Sequence, residues 1–224
     1  MTRLITAGCS FTQYCWPTWA DYMGMHYSEH IQRGLCGIDC ASIARLILAT
    51  DISPNDHVVI AWTGFDRHSL YSDNEWQDIG SIVSNKNYFI NHYHSHERFC
   101  TMLDYMKLVE LDSKYRNYKL WHFSAYPWLL GETEKNPSPK NMQKAENLGI
   151  ENLFMDFDLE SFRNKTGTII THHKYNDNDN HPTPQCHWDW LRQCIAEKCN
   201  LELDPKIAEQ VLRDQRRVLN GDVD

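Results

Sequence analysis

The chain has 224 residues, which is enough for one α/β domain of ordinary size or for one domain with long insertions. Its hydrophobic content of 42% and aromatic content of 12% are those of a folded globular protein. The formal net charge of −8 argues against non-specific binding to nucleic acid or to anionic membranes, which requires a positive surface. The sequence therefore predicts neither a nucleic-acid nor a membrane partner.

The expected location follows from features that the sequence lacks. The N-terminal residues show no apolar run of signal-peptide type, and no window approaches the roughly 18 consecutive apolar residues of a membrane span. The eight cysteines are scattered, and none forms a CxxC pair. We therefore expect a cytoplasmic protein whose cysteines are mostly buried thiols.

Segments typical of strands alternate with segments typical of helices, which predicts an α/β fold with a mainly parallel sheet. The apolar run HVVIAW is typical of a central strand that is covered on both faces. In chain order, the first part is predicted to form a strand over 4–7, a helix over 17–26, a strand over 30–35, a helix over 39–49 with Asp39 as its candidate N-cap, and a strand over 57–62.

The second part is predicted to form a helix over 96–116, a strand over 118–123, a strand over 167–170 and a helix over 185–198. An apolar stripe on the first of these helices is predicted to comprise Phe99, Leu103, Met106 and Leu111. Insertions are expected near 66–95 and 125–165 of a domain that spans 1–200. The remainder, 201–224, is predicted to be an amphipathic helical tail that ends at Asn220–Gly221 and packs on the domain or on a partner chain.

Side chains that can act in catalysis or binding follow several predicted strands. They are Ser10 in ITAGCSFT, Gly37 in RGLCGID, Thr63, Asp66 and Arg67 in AWTGFDR, and Asp179 and His181 in DNHP. A parallel α/β sheet places its functional loops at the carboxyl ends of its strands, so these residues are expected at one edge of the sheet. Serine, histidine and aspartate together can form a nucleophile, a base and a carboxylate that orients the base.

The DNHP segment suits the base in particular. A carboxylate two residues before an imidazole can hold one ring nitrogen, which leaves the other nitrogen to accept a hydroxyl proton. Pro182 would restrict His181 to an extended backbone conformation. The segment therefore makes His181 the candidate general base and Asp179 its candidate partner.

In these blocks the sequence resembles the SGNH (GDSL-type) hydrolases. GCSFT looks like their first block, and DNHP looks like their last block, in which aspartate and histidine complete the triad with the serine. RGLCGID is similar to the glycine-bearing second block, and VVIAWTGFDR stands where the third block, GxND, would follow the third strand. The four blocks occur in the family's order within residues 4–199.

The resemblance implies a three-layer α/β/α sandwich of the flavodoxin-like SGNH hydrolase type, with a mainly parallel sheet of about five strands. It implies cleavage of an O-acyl or O-acetyl ester on a small or carbohydrate-like substrate. We expect neither a cofactor nor a metal. The composition is also similar to that of short SGNH-like proteins encoded in bacteriophage genomes, which would place the protein in the host cytoplasm.

The resemblance also implies a role for each site residue. Ser10 would be the nucleophile, His181 the general base and Asp179 its orienting carboxylate. The oxyanion would be bound by the backbone N–H groups of Ser10 and Gly37 and by an asparagine of the third block.

The chain departs from the family pattern at the third block. Thr63 stands at the glycine, Phe65 at the asparagine and Asp66 at the final aspartate. Phenylalanine donates no hydrogen bond, so Thr63 Oγ1 or Arg67 would have to replace the missing donor, and Arg67 would suit an anionic substrate. The departure leaves open a second interpretation, a catalytically impaired SGNH-fold protein that binds a ligand or serves in an assembly.

Simpler or different interpretations of single features also remain open. Ser10 alone is typical of a strand-to-helix turn, Gly37 of a turn with positive φ, and His187 of a residue that packs or caps the last helix. Histidines at 92, 94, 96, 172 and 173, with Glu97, would be the ligands of an alternative metal site, although no established metal-binding spacing occurs. Aromatic residues of the insertions either line a cleft or pack the insertions on the sheet: Trp76, Tyr88, Tyr93, Tyr126 and Trp128.

Overall fold

The structure is a computed structural model of the chain. It describes residues 2–64, 66–72, 74–81, 85–88, 95–126, 139–154, 158–166 and 181–222.

The main sheet is parallel and has five strands in the order β2-β1-β3-β6-β7. A separate antiparallel hairpin is formed by β4 and β5. The strands are β1 (Leu4–Gly8), β2 (His30–Gly34), β3 (His57–Trp62), β4 (Arg67–Ser72), β5 (Glu75–Ser81), β6 (Lys119–Ser124) and β7 (Leu153–Phe154).

Helices connect the strands of the main sheet and follow its last described strand. They are α1 (Trp19–Gly24), α2 (Cys40–Leu48), α3 (Ser95–Arg116), α4 (Pro139–Leu148), α5 (Leu159–Thr166), α6 (Pro184–Trp190) and α7 (Pro205–Leu219). A π-helical segment, Leu191–Ile195, continues α6. Asp39 is the N-cap of α2, as predicted, and its carboxylate accepts a hydrogen bond from the Ser42 N–H at 2.8 Å.

The sheet is covered on both faces, because successive side chains of each central strand point to opposite sides. On one face, Ile5 and Val58 pack with buried residues of α2 and α3. On the other face, Leu4 and Val59 pack with buried residues of α1, α6 and α7. The predicted three-layer α/β/α sandwich with a mainly parallel, five-stranded sheet is therefore confirmed.

Four strands of the main sheet, β1, β2, β3 and β6, agree with the prediction. The differences concern the fifth strand, the first insertion and one residue of α3. The fifth strand is β7, which lies within the predicted second insertion and pairs with β6, whereas the predicted strand 167–170 lies outside the described residues. Part of the first insertion forms the β4–β5 hairpin. On α3 the prediction for Leu111 was wrong, since it is 53% exposed; Met102 and Val109 are buried in its place.

The C-terminal helix α7 packs on the domain. Ile207 and Val211 join the core on one face of the sheet, and Val218 packs against Trp16. Asp214 is buried beside them and accepts a hydrogen bond from Tyr22 Oη at 3.2 Å. The tail thus uses its apolar face within its own chain, as one of the two predicted alternatives proposed.

The cysteines are free thiols, and five of the eight are buried, as expected: Cys9, Cys40, Cys186, Cys194 and Cys199. Burial raises the pKa of Cys40, Cys194 and Cys199, so these thiols stay protonated near neutral pH. Within the described ranges, no helix is both long and apolar enough to cross a bilayer.

Gly8 ends β1 where the chain passes very close to its surroundings. A Cβ atom at this position would lie 2.1 Å from Thr12 Oγ1 and 2.7 Å from the carbonyl oxygen of Ala61. The second contact is with the backbone of β3, which cannot move without disturbing the ladder between β1 and β3. Glycine is therefore required at the turn that leads into GCSFT.

We expect Gly8→Ala to lower the free energy of unfolding by about 3 kcal/mol, since the added methyl group overpacks a rigid backbone contact. Denaturant unfolding measures the change. Gly149→Ala is the control: it has φ of +57° but nothing within 4 Å of the added Cβ, so we expect a loss of only about 1 kcal/mol. Equal losses in the two variants would contradict the close approach at Gly8.

Candidate active site at the carboxyl edge of the sheet

The candidate site lies at the carboxyl ends of β1 and β3. In doubly wound sheets, ligands bind outside the carboxyl ends of the strands at the point where the strand order reverses. Here the chain proceeds from β1 to β2 on one side and then to β3 on the other side of β1. The loops that follow β1 and β3 therefore flank that point, and both carry residues that the sequence singled out.

Ser10 lies in a tight turn directly after β1. The carbonyl oxygen of Cys9 accepts hydrogen bonds from the N–H groups of Thr12 at 2.8 Å and Gln13 at 3.2 Å, which closes the turn around Ser10. The Ser10 residue is 5% exposed. In the described part of the chain, its N–H group and its hydroxyl have no hydrogen-bond partner.

His181 lies against the same loop. Its ring stacks on the ring of Tyr14, with centroids 3.8 Å apart. It also makes a T-shaped contact with the ring of Phe11, with centroids 5.5 Å apart. The next residue is also tied to this loop, because the buried Trp16 Nε1 donates a hydrogen bond to the Pro182 carbonyl oxygen at 2.9 Å. The structure thus brings His181 and Pro182 to the residues that surround Ser10.

The hydrogen bonds of the predicted triad are not formed between described residues. Between described residues, no hydrogen bond joins Ser10 to His181. Asp179 lies outside the described residues, so its position relative to the ring of His181 stays a prediction.

Thr63 and Gly37 supply two polar groups near this edge. Thr63 is fully buried, and its Oγ1 has no hydrogen-bond partner among the described residues, while its carbonyl oxygen accepts a hydrogen bond from Cys40 Sγ at 3.4 Å. Gly37 has φ of 85°, so the predicted positive-φ turn is confirmed. Its N–H group donates no hydrogen bond within the described ranges. Both residues therefore retain donors for a further partner.

Arg67 approaches the site through Tyr126. Arg67 Nη2 donates to Tyr126 Oη at 3.4 Å, and its guanidinium carbon lies 5.9 Å from the centroid of that ring. Tyr126 in turn stacks on Phe11, the neighbour of Ser10, with centroids 4.8 Å apart. This cationic group is therefore linked to the loop of Ser10 by two successive contacts.

Asp66 folds back over the turn before it. A Cβ atom at Gly64 would lie 2.3 Å from Asp66 Oδ1, so the glycine makes room for this carboxylate. Burial raises the pKa of Asp66, and the neighbouring charge of Arg67 opposes that shift. Phe65, which stands at the family's asparagine position, lies outside the described residues.

The contacts of two residues near the site were not predicted from the sequence. Tyr126 follows β6 at the same edge, a position that could have indicated its contact with the loop of Ser10. His187 on α6 is fully buried, as its packing interpretation predicted, and both ring nitrogens lack a hydrogen-bond partner among the described residues. Burial, with a smaller effect of His181, lowers the pKa of His187 to about 3, so its ring is neutral near pH 7.

The alternative metal site cannot be assembled from described residues. In the ranges that the structure describes, no group of three or more histidine, cysteine, aspartate or glutamate side chains is arranged to hold a metal ion. The candidate ligands His92, His94, His172 and His173 lie outside those ranges, as does the side chain of His96.

No family model and no curated protein matches the chain. Its fold is similar to those of several solved structures. A provisionally named acylhydrolase from Bacteroides fragilis is 19% identical with a TM-score of 0.41, over 89% of this chain and 86% of that one. A GDSL-like lipase from Bacteroides thetaiotaomicron is 15% identical with a TM-score of 0.39, over 95% and 88% respectively. Protein YxiM from Bacillus subtilis is 14% identical with a TM-score of 0.49, over 87% and 57%. Sequence identities and TM-scores as low as these do not assign an activity to this chain.

We expect Trp16→Phe to destabilise the protein more than a second Trp→Phe change of the same size. The substitution leaves the buried Pro182 carbonyl without its donor, which typically costs about 1–3 kcal/mol in addition to the lost volume. Trp19→Phe is the matched control, since Trp19 is fully buried and its Nε1 has no partner among the described residues. Denaturant unfolding compares the two variants, and equal losses of stability would contradict the proposed anchoring of Pro182.

Proposed function

We propose that the protein is a serine ester hydrolase of SGNH type, which cleaves an O-acyl or O-acetyl ester of a small or carbohydrate-like molecule. The observation that carries the proposal is the stacking of His181 on Tyr14, in the loop that presents Ser10. Ser10 and His181 are 171 positions apart in the sequence (181 − 10). They belong to the blocks that resemble the first and last blocks of the family.

In the proposed reaction, Ser10 Oγ attacks the carbonyl carbon of the ester. One ring nitrogen of His181 accepts the hydroxyl proton and later donates it to the departing alcohol. The acyl group is then bound to Ser10 Oγ. A water molecule, deprotonated by the same ring nitrogen, attacks the acyl carbon; the bond to Oγ breaks, the proton passes from the imidazolium to Oγ, and the acid is released. Asp179 would hold the other ring nitrogen and stabilise the imidazolium cation that forms.

The oxyanion of the tetrahedral intermediate needs donors that are not already used. The N–H groups of Ser10 and Gly37 meet this condition within the described part of the chain. Thr63 Oγ1 is a third candidate, because it is buried and has no described partner. Since removal of one such donor typically costs about 3–4 kcal/mol of transition-state stabilisation, a replacement for the family's asparagine matters for the rate.

The remaining expectations stay proposals. We expect a cytoplasmic enzyme that needs no cofactor, and host cytoplasm if the gene is carried by a bacteriophage. A homo-oligomer would have to use surfaces other than the apolar face of α7 that is buried within the chain, such as the exposed Leu212 and Leu219.

A second candidate function is binding without hydrolysis. It is favoured by the phenylalanine at position 65, where the family has an oxyanion donor, and by the lack of a hydrogen bond between Ser10 and His181 among the described residues. In that case the edge of the sheet would retain a ligand but not cleave it.

Hydrolysis of p-nitrophenyl acetate separates the two candidates. We expect Ser10→Ala to lower kcat/KM at least about a thousandfold, because the variant retains the site but has no nucleophile. The exposed Ser28 gives the matched control Ser28→Ala, which we expect to retain wild-type activity. Activity that is absent from the folded wild type, or equal in Ser10→Ala, would contradict the hydrolase proposal and leave the binding function.

A further inference from the structure

Next to the candidate site lies a concavity that the proposed chemistry does not use. It has a volume of about 320 Å³ and lies between the start of α2, the strand β4 and the first half of α3. Its lining is unusually rich in cations for a chain with a net charge of −8. The polar residues that matter are Arg45, Arg67, Arg98, His68, Ser69 and Asp39. We call it the arginine pocket.

Consecutive residues of β4 line the arginine pocket beside an irregularity in the β4–β5 pairing. In a regular strand, Arg67, His68 and Ser69 would alternate between the two faces. The pairing of β4 with β5 shifts its register between His68 and Ser69, which is a β-bulge or a similar irregularity. The extra residue is Ile79 of β5, since His68 pairs with Gly80 and Ser69 pairs with Asp78. Arg67, His68 and Ser69 all line the same space.

The one carboxylate among the described lining residues, that of Asp39, already accepts hydrogen bonds from within the protein. Asp39 Oδ2 accepts hydrogen bonds from the N–H and the hydroxyl of Ser69 at 2.9 and 2.8 Å, and Oδ1 accepts from the Ser42 N–H. The nearest guanidinium nitrogen of Arg45 is 3.9 Å from Oδ1. Asp66 lies near Arg67 but does not line the pocket. Three guanidinium groups thus face one lining carboxylate, which leaves the pocket positive.

Two of the guanidinium groups retain unused donors. Arg98 Nη1 lies 2.5 Å from His68 Nδ1. Burial, and after it the charge of Arg98, lowers the pKa of His68, so the ring is neutral and accepts the hydrogen bond. The guanidinium group of Arg67 donates to Tyr126 alone among the described residues. Each guanidinium carries five N–H donors in a planar fork, so most of the donors of Arg67 and Arg98 are available.

We propose that the arginine pocket binds a phosphate or carboxylate group of a small-molecule ligand. Guanidinium forks match the paired oxygen atoms of both groups, and the volume admits such a group with part of the molecule that carries it. Arg67 lines this pocket and also contacts Tyr126 beside the loop of Ser10. If the proposed ester hydrolysis is correct, on which this step rests, the ester substrate is therefore an anion.

The first test measures binding and needs no catalysis. Isothermal titration calorimetry with inorganic phosphate and, separately, with succinate should give dissociation constants of about 1 mM or below for at least one of them at constant ionic strength. We expect Arg98→Gln to bind about tenfold more weakly or worse, and Arg98→Lys to bind with an intermediate constant, because lysine keeps the charge but not the fork. The phosphate and succinate arms show which anion the pocket prefers.

Arg192→Gln is the control for a general loss of positive charge, since Arg192 lies on the helical segment after α6 and is largely exposed. We expect it to bind both anions like the wild type. Circular dichroism confirms that each variant is folded. Lack of binding of both anions to the folded wild type, or equal binding by Arg98→Gln, would overturn the proposal.

The second test links the pocket to the ester. If the enzyme hydrolyses p-nitrophenyl acetate, Arg98→Gln should lower kcat/KM for the monoester of p-nitrophenol with succinate about tenfold relative to the acetate. An unchanged ratio would overturn the link between the pocket and the substrate. Failure of the hydrolase proposal would abolish both activities but would leave anion binding measurable by calorimetry, so the two failures are distinguishable.

Discussion

The close approach of β1 to β3 at Gly8 is the constraint on which the candidate site depends. The Ala61 carbonyl oxygen and Thr12 Oγ1 occupy the space that a side chain at position 8 would need. Because β1 lies between β2 and β3, its end fixes where the following loop leaves the sheet. Ser10 is therefore presented beside the end of β3, whatever further contacts the loop makes.

Aromatic residues of the loop after β1 determine which other segments of the chain contact this loop. Phe11, Tyr14 and Trp16 all belong to the loop after β1, and they contact Tyr126, His181 and Pro182 respectively. These contacts join three distant parts of the chain at one edge of the sheet without using the polar groups that chemistry would need. The N–H groups of Ser10 and Gly37 and the hydroxyl of Thr63 consequently keep their hydrogen-bonding capacity within the described part of the chain.

Local patterns were sufficient to predict the core of this fold but not its periphery. HVVIAW predicts a central strand from its own composition, and Asp39 predicts a helix start from its own side chain. The two-residue strand β7 has too short a pattern to predict, since its pairing with β6 defines it. Likewise, DNHP indicated His181 through a local motif. The arginine pocket instead combines residues from the start of α2, from β4 and from α3, which only the tertiary structure brings together.

The most direct test of the central claim, that Ser10 is a nucleophile activated by His181, is to locate a covalent adduct. The folded protein would be treated with a fluorophosphonate probe and digested, and the modified residue would be identified by mass spectrometry. The account predicts one adduct on Ser10, formed by the wild type and lost or greatly slowed in His181→Gln, because the hydroxyl is weakly nucleophilic without a base. An adduct on Cys9 or elsewhere, or a Ser10 adduct that forms equally fast in His181→Gln, would contradict it.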